Sequence, residues 1–275
     1  LSTFLIRANA LIAQSAEKQL PSKDSIAAEV KRIQRGEEDQ IRRSASERLD
    51  RIVLEFLKAD SNIGKNPEIA TNISCTNSPD ERWRLFSWVV PSYSGDRYQF
   101  HGYLQWRSAD GKRTFLQRLN DSTSVIRKPD SERLTPDRWF GAAYYAVIHK
   151  RKKRKDYYML LGWKGRDQQT TQKVIEVLSF DGDKPRFGYP LFKKERVFKS
   201  RVVFTFMSQV SMSLRYESSK RMIVFDHLYV PKTEGSGTPD PTMAMPDGSY
   251  DGYVFRRGKW QWKSDLNMRS KSAPR

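Results

Sequence analysis

"YAVIHKRKKRKDYYMLLGW", residues 145–163, sets six consecutive Lys and Arg residues, Lys150 to Lys155, between two strongly apolar runs. How this stretch is read decides the fold. As a targeting or nucleic-acid signal, the basic block would say little about architecture. As the wet tip of a hairpin, it makes the flanking runs a pair of antiparallel strands. The flanks favour the hairpin. Tyr144, Ala146 and Ile148 alternate with Tyr145 and Val147, and Tyr157, Met159, Leu161 and Trp163 alternate with Tyr158 and Leu160. Successive strand side chains point to opposite faces, so strands apolar on both faces are covered on both. The pair is expected at the centre of a layered β structure, with Lys150 to Lys155 as its solvated connection. Lysines at such a tip also discourage edge-to-edge association.

Working outward, the same period-2 pattern recurs from about residue 80. "RWRLFSWVV", "DRYQFHGYLQW", "KRTFLQRL", "QKVIEVLSF", "RVVFTF", "SMSLRY", "RMIVFDHLYV" and "GYVFRRGKWQW" all read as strands rich in Val, Ile, Phe, Tyr and Trp. Asp110-Gly111, Asp181-Gly182-Asp183, Ser218-Ser219, Asp247-Gly248 and Arg257-Gly258 supply turn signals between them. Met222 to Leu228 reads as another strand covered on both faces. Residues 259–263 alternate cleanly, with Trp260 and Trp262 on one side and Lys259, Gln261 and Lys263 on the other. Residues 119–138 and the Pro- and Gly-rich 231–249 read as loops.

Upstream the period changes. In 22–59, Ile26, Val30 and Ile33, then Ile41, Ala45, Leu49, Ile52, Val53 and Phe56, recur at spacings of three and four. That is one apolar stripe on a helix, interrupted at Gly36. Glu37, Glu38, Arg42, Arg43, Glu47 and Arg51 occupy the opposite face. The expected fold class is α+β, mainly antiparallel β. A helical segment over 22–59 packs on a large meander or sandwich-like β domain over 75–265, followed by a basic tail over 266–275. Residues 1–16 read as the remnant of a signal peptide, with Leu1 to Ile6 as apolar region and Ala8-Asn9-Ala10 as cleavage pattern.

The chain has 275 residues, enough for a substantial core. An aromatic content of 12% argues against disorder although the hydrophobic fraction is only 37%. A formal net charge of +18 favours anionic partners. The single cysteine, Cys75, excludes an intramolecular disulfide and a cysteine zinc cluster. No nucleophile signature surrounds it, so an inert thiol is expected. No uninterrupted apolar run approaches the ~20 residues a transmembrane helix needs.

Six stretches carry a family resemblance: "SPDERWRLFSW", "YYMLLGWKG", "KVIEVLSFDGD", "RFGYPLF", "IVFDHLYVP" and "PDGSYDGYVFRRGKWQW". Over roughly 75–265 the chain resembles uncharacterised exported proteins of the Bacteroidota, a group with no established activity. The resemblance implies a location in the periplasm, on the outer-membrane surface or outside the cell. It carries over no catalytic residue.

Four groups of residues are candidates for chemistry. Asp226-His227 pairs a carboxylate with an imidazole among apolar neighbours, a setting for acid/base work or for a strand-closing hydrogen bond. As adjacent strand residues they point to opposite faces unless the strand bulges. Asp247 and Asp251, flanking Ser249 and Tyr250, are candidate oxygen ligands for a divalent cation such as calcium, although Asp-Gly also makes a simple turn. His101, His149 and His227 lack the close spacing of a zinc site. Interleaved basic and aromatic residues in "RWRLFSW" and "YVFRRGKWQWK" suit single-strand nucleic-acid binding, but core-facing strands alternate in the same way.

No phosphate-binding loop, dinucleotide fingerprint or nucleophile elbow is present. The sequence therefore favours a structural or binding protein over an enzyme. It expects no cofactor, and places Lys150, Arg151, Lys152, Lys153, Arg154 and Lys155 toward an anionic polymer, a lipid surface or an envelope protein. The first alternative is a hydrolase of an envelope polymer using Asp226, His227, Asp247 and Asp251, if those side chains share one cleft. The second is a nucleic-acid-binding protein.

Overall fold

Residues 145–163 form an antiparallel hairpin at the middle of the molecule. A computed structural model describes residues 23–59, 62–64, 73–231 and 240–267. The expected signal-peptide remnant, 1–16, and all of the basic tail beyond residue 267 lie outside the described residues. Two helices come first, α1 (Lys23–Arg35) and α2 (Asp39–Ala59). The strands follow: β1 (Ser74–Asn77), β2 (Trp83–Pro91), β3 (Tyr98–Arg107), β4 (Thr114–Asn120), β5 (Ala143–Lys152), β6 (Lys155–Gly165), β7 (Thr170–Asp181) and β8 (Lys184–Phe187). Then come β9 (Phe192–Lys194), β10 (Val197–Lys199), β11 (Val202–Met207), β12 (Leu214–Glu217), β13 (Met222–Tyr229), β14 (Met245–Arg256) and β15 (Lys259–Lys263).

The strands make three sheets. The first runs β1-β2-β3-β4. The middle sheet runs β11-β7-β6-β5, with β8 also on β7. The third runs β10-β9-β15-β14-β13-β12. Pairing is antiparallel except between β15 and β9, which run parallel. Four layers result. Ile26, Ile33, Leu49, Val53 and Phe56 of the helices bury Phe86, Trp88 and Tyr103 on the outer face of the first sheet. Trp83, Leu85 and Leu104 on its inner face meet Tyr158, Leu160 and Val174 of the middle sheet. Met159, Leu161 and Ile175, on the far face of the middle sheet, meet Ile223, Phe225, Tyr253 and Trp260 of the third. The hairpin is apolar on both faces because its sheet has a sheet on each side.

Several local expectations change. Tyr144 does not share a face with Ala146 and Ile148, because β5 bulges between Tyr144 and Ala146. Its ring lies in the interface with the first sheet, over Gly162, where a Cβ would come within 2.8 Å of it. Trp163 likewise packs against Tyr98 and Phe100 of the first sheet. Ile41, expected in the helical stripe, is 44% exposed. Residues 245–249, expected as loop, begin β14. Residues 121–138 are irregular but pinned. Leu134 is buried and exchanges backbone hydrogen bonds with Phe187 at 2.7 and 3.0 Å.

The middle sheet also buries charge. Arg201 donates to Glu176 and to the Pro129 carbonyl, with both charged side chains fully buried. Burial raises the Glu176 pKa, against the opposing pull of Arg201. Lys164, on β6, is 2% exposed and donates to Thr123 Oγ1 at 2.7 Å and the Gly141 carbonyl at 2.6 Å. Its ammonium and the Arg201 guanidinium both lie over the Phe140 ring.

Candidate anion-binding surface

The β5–β6 connection is tighter than six residues. Strand pairing continues to Lys152 opposite Lys155, so only Lys153 and Arg154 form the turn. Both have positive φ, 48° and 63°. Two-residue hairpin turns of this hand favour Asn-Gly, since side chains crowd the left-handed region. Lys150 and Lys152 fall on the face toward the third sheet. Lys150 Nζ lies 5.5 Å over the Tyr216 ring, 5.9 Å from that of Trp260 and 6.0 Å from that of Phe255. Arg151 and Lys155 are engaged with acids instead, at 3.6 Å to Asp156 and 2.5 Å to Asp181.

One other hairpin tip meets this one, while β9 runs parallel to β15 and carries the β9–β10 turn toward the far end of β15. The side chain of Lys152 crosses Gly258 in the β14–β15 turn, where an added Cβ would lie 2.7 Å from it. Lys259, which follows that turn, sets its Nζ 3.8 Å over the Phe198 ring of β10. Lys193 approaches the same ring at 5.8 Å, and Lys194 lies 3.9 Å over Trp262. Residues 150–155, 193–196 and 256–259 thus gather twelve basic side chains and one acidic one, Glu195. Apart from Arg151 and Lys155, none of the twelve makes an ion pair among the described residues. Val197 and Phe198 stand exposed between them, at 58% and 41%. Sequence reading found the first tip and quoted the third for its aromatic alternation. It passed over Lys193, Lys194 and Arg196, although "KKER" repeats the signature of a basic turn on a small scale.

The remaining candidates are placed as follows. Asp226 Oδ2 accepts from the Ser213 amide at 2.8 Å, and the Asp226 amide donates to the Ser213 carbonyl at 3.2 Å. It therefore ties β13 to the start of β12. The strand bulges between Asp226 and Leu228, which sends His227 to Asp251, with Nδ1 and Oδ2 2.9 Å apart. Asp251 is buried, and its other oxygen accepts from the Asp265 amide at 3.1 Å. Asp247 accepts from the Ser249 amide and hydroxyl at 2.9 and 2.7 Å, which holds its carboxyl below the ordinary range. His227 and Asp251 are thus brought together, while Asp226 and Asp247 serve local backbone. The adjacent hollow is lined by Arg215, Ser249, Tyr250 and Asp265 rather than by those four. Among the described residues no group of three or more His, Cys, Asp or Glu side chains is placed to hold a metal ion.

His149 stacks on Tyr158 and bonds Asp156 at 2.8 Å, while Tyr158 donates to Asp80 at 2.6 Å. His101 stacks on Trp88, and burial lowers its pKa. Burial pushes the Cys75 thiol up to about 12, against the Arg84 charge, so it is not a thiolate at neutral pH. No helix among the described residues is long and apolar enough to cross a membrane. No protein-family model, curated protein or solved structure matches the chain.

Proposed function

We propose that the protein is a non-catalytic exported binding protein that docks on an anionic lipid surface through the basic surface of its β5–β6, β14–β15 and β9–β10 hairpins. One observation carries this reading. The β5–β6 and β14–β15 tips meet, and with the β9–β10 hairpin beside β15 they carry ten cations without ion-pair partners among the described residues, Lys193 and Lys259 lying against the exposed Phe198. Basic residues near an anionic bilayer contribute about 1 kcal/mol each, and neighbouring apolar side chains add interfacial burial. The exposed apolar Val197 and Phe198 beside these cations favour a lipid surface over nucleic acid. Export, expected from residues 1–16, would give this face access to envelope surfaces.

The test is cosedimentation with vesicles. Binding should appear with phosphatidylglycerol, be absent from phosphatidylcholine, and fall steeply as salt rises, because exposed charges are screened within about 10 Å at 0.1 M. Equal binding to both vesicle types, or none to either, would remove the proposal. Tighter binding to single-stranded DNA than to anionic vesicles would replace it with the nucleic-acid reading.

A further inference from the structure

A second cationic site lies far from the hairpin tips and owes nothing to them. A cleft of about 440 Å³ opens between the start of α2, the β2–β3 turn and the loop after β4. Arg42, Arg43, Arg97 and Arg166 line it, with Asp39 and Asp121 as its acids. Both carboxylates are already engaged by the protein. Asp39 accepts from the Tyr93 amide at 2.6 Å. Asp121 accepts from the Phe100 and Thr123 amides, each at 3.0 Å, and from the Thr123 hydroxyl at 2.5 Å. Lys164 lies behind Thr123 and adds a buried cation beneath this floor.

The arginines are differently employed. Arg42 is anchored, with Nε on the Gly36 carbonyl at 2.8 Å and a terminal nitrogen 3.4 Å from the Pro91 and Ser92 carbonyls. Arg97 and Arg166 make only loose contacts to their sequence neighbours Asp96 and Asp167, at 3.6 and 3.5 Å. Those acids are committed elsewhere, Asp96 to the Ser92 and Ser94 hydroxyls and Asp167 to the Gln169 and Thr170 amides. Arg42 and Arg43 thus line the cleft without an ion-pair partner among the described residues, while Arg97 and Arg166 each keep one long pair to a neighbouring acid. Tyr98 forms a fixed aromatic wall, held edge-on to Trp163 and so close to Gly165 that a Cβ there would lie 2.4 Å from the ring.

The cleft also continues. A further hollow of about 250 Å³ shares Arg43, Val90 and Gln99 with it and adds Ser46 and His101. Its acids are Glu47 and Asp50, and Asp50 is paired with Arg118 and accepts from the Tyr103 hydroxyl at 3.1 Å. One end of the groove is thus rich in arginine, and the other sets the neutral groups of Gln99 and His101 among Glu47, Asp50 and Arg118.

We propose that this groove binds a small phosphorylated sugar, with the phosphate among Arg43, Arg97 and Arg166 and the polyol toward Gln99 and His101. Arginine forks match phosphate oxygens two at a time, and two unpaired and two loosely paired guanidinium groups converge on the cleft. The volume exceeds what inorganic phosphate alone would fill. This site is independent of docking on lipid.

Calorimetric titration of the full chain with glucose 6-phosphate, inorganic phosphate and glucose tests it. Glucose 6-phosphate should bind saturably and more tightly than inorganic phosphate, and glucose should not bind. Arg97→Gln and Arg166→Gln alter exposed side chains and should leave the melting temperature unchanged. Each should weaken glucose 6-phosphate binding by roughly tenfold. Arg256→Gln/Arg257→Gln, at the other cationic site, should leave it unaltered. Absence of saturable binding by both phosphates at millimolar concentration, or binding that survives Arg97→Gln/Arg166→Gln, would overturn the proposal. So would loss of binding on Arg256→Gln/Arg257→Gln alone.

Discussion

The β5–β6 hairpin ends in two opposite ways. At its tip Lys153 and Arg154 stand in solvent, and Lys150 and Lys152 lean across the neighbouring sheet. At its open end Lys164 is buried and hydrogen-bonded to Thr123 and Gly141. The two ends lie on one strand, from Lys155 to Lys164, about 30 Å apart at ~3.3 Å per residue. In the sequence both are lysines beside aromatic residues. The difference is what surrounds them. The interior cations bond the protein's own acceptors and tie the middle sheet to the 121–141 segment, although one terminal nitrogen of Arg201 is left without a partner among the described residues. At the tip, Lys152, Lys153 and Arg154 have no acid partner among the described residues and remain available to a partner.

Breaking the interior pair should have the largest effect. Glu176→Gln leaves the Arg201 guanidinium buried without its carboxylate, and unfolding by denaturant should lose about 3–5 kcal/mol. Replacing both, as Glu176→Met/Arg201→Met, should recover most of that loss. Retention of full stability by Glu176→Gln would place Arg201 among the available cations rather than the structural ones.

Lys164 gives a pH signature. Burial lowers its pKa from 10.5 to about 8, with the Asp121 charge opposing. Between those values the unfolded chain holds a proton that the folded chain has released, so this group makes stability rise with pH. Measured against Lys164→Met, the wild type should gain about 2–3 kcal/mol from pH 8 to 10.5. A difference between the two proteins that does not change with pH would contradict the burial of a titrating ammonium.

The tip should respond least, and in the favourable direction. Lys153→Asn/Arg154→Gly supplies residues suited to positive φ and should stabilise by about 1 kcal/mol, seen as a higher melting temperature. Replacing all six residues from Lys150 to Lys155 should cost stability instead, because Lys150 packs over Tyr216, Phe255 and Trp260. A gain from the six-residue replacement would show that those ring contacts contribute nothing.

The same contrast explains what could be read from sequence. Period-2 alternation is local, so the hairpin, its central position and the α+β class were legible. Tyr144 was assigned to the wrong face because a single-residue bulge inverts the alternation and leaves no mark in composition. Asp226 and His227, expected on opposite faces, indeed have separate partners, Ser213 and Asp251, which only the pairing of β13 with β12 and β14 supplies. β1 and β8 to β10 went unseen because three or four partly polar residues carry too little pattern. The arginine groove was invisible for a different reason. Arg42 and Arg166 lie far apart in the chain, and only the stacking of helices on the first sheet, and of that sheet on the middle one, brings them together. The six-residue basic run was conspicuous, yet two of its members are engaged by Asp156 and Asp181. Half of the basic surface comes from tips that the run does not contain.

The central claim is that the basic surface of the β5–β6, β14–β15 and β9–β10 hairpins is the docking face. The direct measurement is affinity for phosphatidylglycerol vesicles at low and high salt, comparing wild type with Lys153→Gln/Arg257→Gln/Arg196→Gln. One neutral substitution falls on each tip, all three on exposed side chains. The account predicts unchanged folding, a loss of affinity of about hundredfold at low salt, and a shallower salt dependence. Wild-type affinity in the triple variant, with the salt dependence unaltered, would contradict it.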